Sequence, residues 1–320
     1  MRRGPSFFRF LLLVIFSAIA QGQEGTLLVL QSNDGQGTAT VVLTNAQGEV
    51  TVRSTVAFSF RWPLVETTID PQSRLCYIIT FPTGVSGAVL YELKGADGLN
   101  VNRQWQPPLL SFFDLQYSLN ARTLYGIAVD GRYGRILSKF TLGPSPSNVT
   151  ATSIAPLPYM WFVNASTFNQ QGTQFYGLLN NFPGQPNSTL AQKLALGYFG
   201  EEPSTVSFID LHSTSAVDDI LQFIAWSAPT RSLLGLAKTR RGSAVVNISS
   251  TTGGFDSLVL LDGYGPGPMV AEMKQPAVRV FVSRPEGGFQ LARVHLESKR
   301  VEWLAHYDGV VAAATLAAWD

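Results

Sequence analysis

Short apolar runs separated by polar turns recur along the chain, and each run is too short for a typical helix. The clearest example lies between Glu66 and Thr80. Residues 66–69 alternate in polarity, Asp70-Pro71 interrupts the pattern, and the apolar run Leu75–Ile79 follows. Alternation with a period of two, then a proline turn, then a second apolar run predicts a strand, a tight turn and a second strand.

This unit returns down the chain at spacings of 47 to 58 residues. The apolar residues that mark its second strand are Tyr77, Tyr125, Tyr176, Leu234 and Phe281. Each marker lies in a pattern of four strands, here called A to D, which are separated by turn signals such as Asp-Gly pairs. A repeat of four short strands predicts four-stranded antiparallel sheets arranged as the blades of a larger ring.

The two ends of the chain complete this pattern. Residues Val310–Trp319 are typical of a strand A with no B, C or D after it. Leu27–Gln31, Thr38–Thr44 and Glu49–Arg53 are typical of B, C and D with no A before them. Joined in one sheet, the two ends close a circle. The sequence therefore predicts an all-β fold, a six-bladed β-propeller whose C-terminal strand A joins the N-terminal strands B–D.

Two of the predicted A strands have distinctive sequences. In the third unit, Phe113, Leu115 and Tyr117 alternate with polar residues, which predicts a regular inner strand. In the sixth unit, strand A is predicted at Met269–Met273.

The repeat resembles six-bladed propellers of the broad group that holds the NHL-type, YWTD-type and SMP-30/paraoxonase-like domains. The resemblance is carried by a polar residue followed within a few positions by Leu-Tyr or a similar pair, at Asp70–Tyr77 and Asn120–Tyr125. It covers nearly all of the chain after the first residues and is one of architecture. No Tyr-Trp-Thr-Asp tetrad is present, and the resemblance points to no closer family.

The first residues are typical of a secretory signal peptide rather than of a membrane anchor. Basic residues precede the apolar run Phe10–Ala20, which is about half of the roughly 20 residues that a span needs. Residues 1–20 are the predicted signal, with cleavage after Ala20 or Gly22, and residues 23–320 are predicted to form a single propeller domain. We therefore expect a secreted, extracellular protein with no membrane span after signal removal.

Charge and cysteine content narrow the function further. Loss of the three arginines of the predicted signal changes the formal charge of the protein from +1 to −2. A charge so close to zero does not indicate nucleic acid or an anionic membrane as a partner. The single cysteine, Cys76, lies in an apolar strand, and we expect a small buried side chain rather than a reactive thiol. Four N-x-[ST] sequences predict glycosylation at Asn148, Asn164, Asn187 and Asn247, with Asn164 the weakest candidate because it falls on an inner strand.

Candidate catalytic residues do not form a set that the sequence alone can recognise. The three histidines, His212, His295 and His306, are not paired at metal-ligand spacing, and no G-x-S-x-G is present. Oxygen ligands from several blades would suit a hard divalent cation such as calcium at the channel mouth. The predicted ligands are Glu66, Asp114 and Asp219, among a wider polar set that adds Asn164, Asp218 and Glu272. The alternative is that these polar residues line a water-filled channel and bind no cation.

Two functions remain open. The first is a secreted, glycosylated binding module for a protein or carbohydrate partner. The second is a divalent-cation-dependent hydrolase or lactonase with its site in the central channel, as the SMP-30/paraoxonase-like resemblance implies. Six tryptophans fall in unlike registers, which favours packing between blades over a ring of binding aromatics. They are Trp62, Trp105, Trp161, Trp226, Trp303 and Trp319.

Overall fold

The computed structural model describes residues 27–32, 38–59, 65–70, 73, 75–80, 82, 87–94, 100–106, 111–118, 121–130, 134–158, 161–181, 191–198, 205–214, 219–308 and 310–316. The regular elements in these ranges are all strands. Within the same ranges, no helix has the length and hydropathy that crossing a membrane requires. The predicted signal of residues 1–20 and its cleavage sites lie outside the described residues.

The described strands form six sheets, numbered here in chain order. Sheet one holds β1 (Leu27–Ser32), β2 (Thr38–Thr44) and β3 (Val50–Ser59). Sheet two holds β4 (Val65–Asp70), β5 (Leu75–Thr80), β6 (Val89–Lys94) and β7 (Asn100–Trp105). Sheet three holds β8 (Ser111–Ser118), β9 (Thr123–Asp130), β10 (Gly134–Leu142) and β11 (Val149–Pro156).

The second half of the chain forms the other three sheets. Sheet four holds β12 (Trp161–Phe168), β13 (Gln174–Asn181), β14 (Gln192–Tyr198) and β15 (Thr205–Asp210). Sheet five holds β16 (His212–Ser213), β17 (Ile220–Ser227), β18 (Ser232–Thr239), β19 (Gly242–Ile248) and β20 (Gly254–Asp262). Sheet six holds β21 (Gly265–Ala271), β22 (Ala277–Ser283), β23 (Phe289–His295) and β24 (Val301–Tyr307), and β25 (Val310–Leu316) is the last strand.

The last strand completes the first sheet, as the sequence predicts. The order of that sheet is β25-β1-β2-β3, and β25 runs antiparallel to β1 with Leu27 opposite Leu316. The first strands of the six sheets also contact one another in one closed cycle, β25, β4, β8, β12, β17, β21 and back to β25. These are strands A, and the all-β propeller arrangement of antiparallel sheets is confirmed.

Burial along each sheet follows the position of its strands. Strand B lies between A and C and has a neighbouring sheet on each face, so β22 (AVRVFVS) is buried at all positions but the last. Strand D is the outer edge, and β7 is exposed along its length until Trp105. A strand that is buried on both faces is a continuous apolar run, which explains why the B strands were the clearest signal in the sequence.

The core consists of apolar clusters between facing sheets. Sheets five and six share a cluster that includes Val245, Leu236 and Val280. Sheets six and one share another, in which Phe281 and Tyr307 contact Val311 of the closing strand. Burial of such side chains is the main favourable term in folding, so the cluster across the closing sheet holds the two ends of the chain together.

Hydrogen bonds also join the end of one sheet to the C–D turn of the next. The acceptor in each case is the backbone carbonyl of a glycine in that turn. Two such bonds are Trp105 Nε1 to Gly143 O at 2.8 Å and Tyr307 Oη to Gly48 O at 2.6 Å, and within sheet five the backbone N–H of His212 in β16 donates to Gly253 O at 3.1 Å. The side chain of Asn148 lies over Gly143, and at Gly253 the backbone of Asp210 leaves no room for a Cβ.

Three details differ from the sequence prediction. Strand β21 begins at Gly265 rather than Met269, because a register shift between Pro266 and Met269 lets a proline-rich stretch remain in the strand. Strand β8 is irregular between Phe113 and Gln116, so its predicted strict alternation is wrong there. The two-residue strand β16 pairs parallel with the outer edge of sheet five and had no counterpart in the predicted pattern.

Candidate functional site

The A strands begin at one face of the ring and end at the other. The D–A and B–C connections lie where A begins, and we call this the D–A face. The A–B turns lie at the opposite A–B face. Two contacts between sheets four and five and between sheets three and four join like ends. At the D–A face, Gln192 at the start of a C strand bonds Leu221 at the start of an A strand. At the other face, Ser118 at the end of β8 donates to Gly172 in the next A–B turn.

Irregular residues interrupt most of the inner strands at nearly the same height. In β12 the register skips Asn164, and in β17 it skips Gln222. Both shifts fall opposite the fifth and sixth residues of the adjacent B strand. Similar shifts occur in β8, β21 and β25, whereas β4 pairs regularly. A bulge leaves a residue out of the ladder and changes its direction, and bulges are frequent next to active and binding sites.

Neutral amides connect the irregular residues of sheets four and five. Asn164 Nδ2 donates to the carbonyl of Gln222 at 2.6 Å. Gln192 Nε2 donates to Asn180 Oδ1 and to Leu221 O, each at 2.7 Å. Its Oε1 accepts from Leu221 N at 2.8 Å, so both ends of the buried Gln192 amide are satisfied. This amide network fixes the inner wall of the ring on one side without any charged group.

A partly exposed tryptophan lies above the amide network at the D–A face. Trp161 is the first residue of β12 and pairs with Asn181 of β13. The ammonium of Lys193 lies 5.3 Å from the centre of the indole ring, within cation–π range. Lys193 in turn pairs with Asp210 at 2.6 Å. An indole face with amide and charged groups beside it can stack on a ligand ring while the polar groups bind its substituents.

The guanidinium of Arg135 supports the tryptophan from sheet three. Its Nη1 donates to the carbonyl of Trp161 at 2.8 Å. Burial lowers the pKa of Arg135 below the ordinary arginine value, although an arginine remains charged in proteins. The bond fixes the backbone of Trp161 relative to the neighbouring sheet.

The predicted cation ligands fall on or beside the inner strands. Glu66 is the second residue of β4 and pairs with Ile79 of β5. Asp114 is the fourth residue of β8, and its neighbour Phe113 pairs with Ile127 of β9. Ile79 and Ile127 are each the fifth residue of their B strands. Strands β4 and β8 contact each other, so Glu66 and Asp114 lie on adjacent strands at nearly the same height. Their side chains lie outside the described residues.

The other members of the predicted polar set are more dispersed. Asp219 directly precedes β17 and accepts a 3.3 Å bond from Ser213 Oγ, while Asp218 lies outside the described residues. Glu272 directly follows β21, so it lies at the A–B face. Glu66 lies near the start of its own strand A, towards the D–A face. Among the described residues, no group of three or more His, Cys, Asp and Glu side chains is placed to hold a metal.

Glu272 belongs to a buried ion cluster of sheet six. Its Oε1 accepts from Arg279 Nε at 3.0 Å, and its Oε2 accepts from Arg293 Nη2 at 2.6 Å. Burial alone would raise the pKa of Glu272, but the hydrogen bonds and charges of Arg293 and Arg279 bring it below the ordinary glutamate value. The carboxylate is therefore ionised and engaged in holding two arginines of adjacent strands.

The other candidate residues from the sequence are the single cysteine, the three histidines and the four predicted glycosylation sites. Cys76 is fully buried in β5, and burial raises the pKa of its thiol, as expected for an unreactive side chain. His295 and His306 lie in strands C and D of sheet six, and His212 lies in β16. Asn148 and Asn247 are exposed, whereas the side-chain amide of Asn164 bonds to the next sheet. Asn187 lies outside the described residues.

Three tryptophans pack between sheets, as their unlike registers predicted, and one of them is Trp161, which lies against the apolar cluster of sheets three and four. Trp105 of sheet two is 1% exposed and bonds to sheet three. Trp226 of sheet five stacks on Tyr176 of sheet four, with ring centres 5.4 Å apart. Trp303 is exposed on the outer strand of sheet six beside Tyr264. Trp62 and Trp319 lie outside the described residues.

The fold defines the class of the protein as a β-propeller, and comparison with solved structures agrees. TolB from Acinetobacter baumannii is similar with a TM-score of 0.57 at 13% identity, covering 98% of this chain and 74% of TolB. A periplasmic gluconolactonase from Pseudomonas aeruginosa is similar with a TM-score of 0.54 at 11% identity, covering 88% of this chain and 96% of the lactonase. A puromycin hydrolase is similar with a TM-score of 0.57 at 15% identity, covering 94% of this chain and 50% of the hydrolase. At these identities the likeness shows the fold alone.

Sequence comparison adds no family to this result. No protein-family profile matches the chain, and no curated protein matches its sequence.

Proposed function

We propose that the protein is an exported, glycosylated propeller that binds a protein or carbohydrate partner through the D–A face of sheets four and five. The observation that carries this proposal is the half-buried Trp161, which packs on its inner side against the apolar cluster of sheets three and four, has the Lys193 ammonium over its ring and pairs with Asn181. Rings of this kind supply a large contact area at low entropic cost. The inter-sheet amide network beneath it supplies rigidity, which lowers the cost of binding.

A carbohydrate fits this arrangement because sugars present apolar ring faces edged by hydroxyl groups. The exposed part of the indole contacts the apolar face of the sugar ring. Amide and ammonium groups of Asn181 and Lys193 then donate to the hydroxyls. A protein partner uses the same groups when it presents an aromatic or proline side chain and backbone carbonyls, since tryptophan is enriched at the energetic centres of interfaces.

The test is a glycan array probed with the secreted protein, followed by titration of the best glycan. Trp161→Ala is compared with Trp303→Ala, which removes an exposed tryptophan from the outer edge of sheet six. Loss of a binding tryptophan costs about 2 kcal/mol or more, so we expect at least a tenfold weaker dissociation constant for Trp161→Ala only. Equal effects of the two substitutions would contradict the proposal. If no glycan binds, the same pair of variants is used in capture of extracellular proteins by crosslinking.

The second candidate is a divalent-cation-dependent hydrolase with its site in the channel. One observation favours it: Glu66 and Asp114 lie on adjacent inner strands at nearly the same height. Carboxylates that converge from separate strands would bind calcium through oxygen atoms, and Asp219 at the start of β17 would be the third ligand. Because a gluconolactonase shares the fold, lactones are the first substrates to screen, although the likeness itself carries no activity.

Thermal unfolding with calcium and with EDTA tests the cation site. A cation that binds only the folded protein raises its melting temperature by mass action. We expect calcium to raise the melting temperature of the parent protein, and Glu66→Gln or Asp114→Asn to abolish that rise. Asp256→Asn, at an exposed position in β20, is the control. An identical melting temperature in calcium and EDTA would argue against the hydrolase.

Glycosylation is tested by the mass of the secreted protein before and after enzymatic removal of N-glycans. Asn148→Gln and Asn247→Gln remove exposed acceptors and should each reduce the mass by one glycan. Asn164→Gln should leave the glycan mass unchanged, because a glycan on Asn164 would displace the bond from its amide to Gln222. A mass loss for Asn164→Gln would show that sheets four and five are not joined in this way during secretion.

A further inference from the structure

The A–B turns around the other mouth of the ring share one construction. In sheets two to six, a polar residue ends strand A or directly follows it, and four residues separate this polar residue from the first residue of strand B. The closing polar residues are Asp70, Ser118, Asn169, Ser227 and Glu272. Most of their side chains bond within their own turn: Ser118 Oγ accepts from Ala121 N, and Asn169 Oδ1 accepts from Thr173 N.

These turns carry cations and no anions between their closing residues. The five four-residue segments are PQSR, LNAR, QQGT, APTR and MKQP, which together hold three arginines, one lysine and no carboxylate. Arg122, Arg231 and Lys274 are exposed. Arg74 holds the same turn position as Arg122 and Arg231 in the sequence and lies outside the described residues. The two turn-closing carboxylates, Asp70 and Glu272, are buried.

Two of the arginines adopt a backbone conformation that does not suit them. Arg122 has a φ of 48° and Arg231 a φ of 49°, in the left-handed region. Glycine and asparagine occupy this region with little strain, whereas a residue with a long side chain is uncommon there. The turns would therefore form at least as well with glycine. Within the described part of the chain, neither guanidinium forms an ion pair, although the charge of Arg122 acts on the nearby hydroxyl of Tyr117.

We propose that the A–B face is a second interaction surface, which binds an acidic, partly apolar segment of a protein partner. Arg122, Arg231 and Lys274 lie in the A–B turns of sheets three, five and six, so the positive charge is spread around the ring rather than gathered at one edge. Arginine binds carboxylates with two parallel hydrogen bonds, which suits recognition of discrete Asp and Glu side chains. Met273, 49% exposed in the same turn as Lys274, adds an apolar contact of the kind enriched at protein interfaces.

A sulfated polysaccharide would also be attracted by positive charge. It has no apolar side chains to contact Met273 or Pro229, and the apolar residues between the cations therefore favour a protein segment. The surface is distinct from the D–A face, because A strands separate the two ends of the channel.

The test uses fluorescence anisotropy with a labelled peptide of alternating glutamate and leucine, and with a heparin fragment of similar charge. The double variant Arg122→Gly and Arg231→Gly removes two cations while easing the backbone. The matched control is Lys299→Gly, since Lys299 also has a positive φ of 55° and is exposed, but lies in the outer C–D turn of sheet six. Urea unfolding of all variants reports on folding.

We expect the double variant to bind the glutamate peptide roughly tenfold or more weakly, as loss of charge-assisted hydrogen bonds implies. Its urea midpoint should equal or exceed that of the parent. Lys299→Gly should bind within about twofold of the parent, because a single exposed charge outside the A–B turns contributes little. Trp161→Ala should bind the peptide normally, which separates this proposal from that for the D–A face. Unchanged peptide binding by the double variant, or an equal loss in Lys299→Gly, would overturn it. Tight heparin binding without peptide binding would assign the surface to polysaccharides instead.

Discussion

At the scale of single residues, a few buried polar side chains determine how neighbouring sheets are fixed to one another. Tyr307, Gln192 and Thr68 each bond across a sheet boundary, the last by accepting from Tyr117 N at 3.0 Å. These side chains are surrounded by apolar neighbours, where an unmade hydrogen bond is costly. The contribution of such a hydrogen bond to the stability of the fold is therefore largest where its acceptor or donor group has no access to water.

Tyr307→Phe should lower the free energy of unfolding by about 1–3 kcal/mol, because it leaves the carbonyl of Gly48 without its donor. The change keeps the ring that packs on Phe281, so the loss reports the hydroxyl. Tyr264→Phe is the control, since the Tyr264 ring lies at the outer edge beside Trp303. The measurement is urea unfolding, and equal midpoints for the two variants would contradict the expected role of Tyr307.

The same residue should make stability depend on alkaline pH. Burial raises the pKa of Tyr307 to about 12, although the charge of Arg279 acts in the opposite direction. Between the ordinary tyrosine value of 10.0 and about 12, the folded chain keeps a proton that the unfolded chain loses. The free energy of unfolding therefore falls as pH rises through this window, and the full contribution is present below pH 10. Tyr307→Phe should show a shallower fall between pH 10 and 12, and parallel curves would exclude this titration.

At the scale of elements, the C–D turns need close backbone approach at particular glycines. Gly253 has a φ of 77°, and a Cβ there would overlap the carbonyl oxygen of Asp210 in the preceding sheet. Gly263 has a similar φ of 80°, but nothing lies within 4 Å of the site of its Cβ. Substitution of Gly263 would therefore test backbone strain alone, whereas substitution of Gly253 would add a steric clash with the neighbouring sheet.

Gly263→Ala should cost about 1–2 kcal/mol, the expected price of a left-handed conformation for a residue with a side chain. Gly253→Ala carries the same strain and must also displace backbone of sheet four, so it should lower the free energy of unfolding by clearly more. Chemical unfolding of both variants measures the difference. Similar losses at the two positions would show that the turn can move away from Asp210 without cost.

The elements also show which parts of the structure could be predicted from sequence. The B strands were clear because burial on both faces leaves a continuous apolar run, and the split of one sheet between the two ends followed from counting them. The bulges at Asn164 and Gln222 could not be found, since one extra residue in a short strand leaves the polar pattern almost unchanged. The start of β21 was missed because Gly-Pro-Gly-Pro is typical of a loop.

The candidate site was predictable only in part. The heights of Glu66 and Asp114 follow from the repeat, since each lies the same distance before its A–B turn. The amide network of Gln192 joins residues that are 29 positions apart in the chain, and no local pattern marks such a contact. Glu272 is the opposite case, because its place at the end of an A strand puts it at the A–B face with two arginines.

At the scale of the whole molecule, the closing sheet makes the ring depend on β25. This strand pairs with β1 and also contacts β4 and β21. It brings Val311, which is fully buried, into the cluster between sheets six and one. Without β25, one edge of β1 and the inner end of that cluster would be exposed.

Truncation after Asp308 should abolish cooperative unfolding and expand the protein, because three sheets lose a neighbour at once. A synthetic peptide of residues 309–320 should restore both properties in trans by occupying the vacant position beside β1. Small-angle scattering and thermal unfolding measure the two effects, and a peptide of the same composition in scrambled order is the control. A truncated protein that is as compact and cooperative as the parent would show that the ring is held by its other interfaces.

The shared sheet also sets an order of events when the protein is made. Strand β1 leaves the ribosome first among the described strands, yet its partner on one side, β25, leaves last. Throughout synthesis, β1 therefore keeps one edge open to other strands, which is the situation in which nascent chains pair with the wrong neighbour or with another copy. Folding of the first sheet ends only with the final strand, so the first described strand to be translated is among the last to complete its pairing.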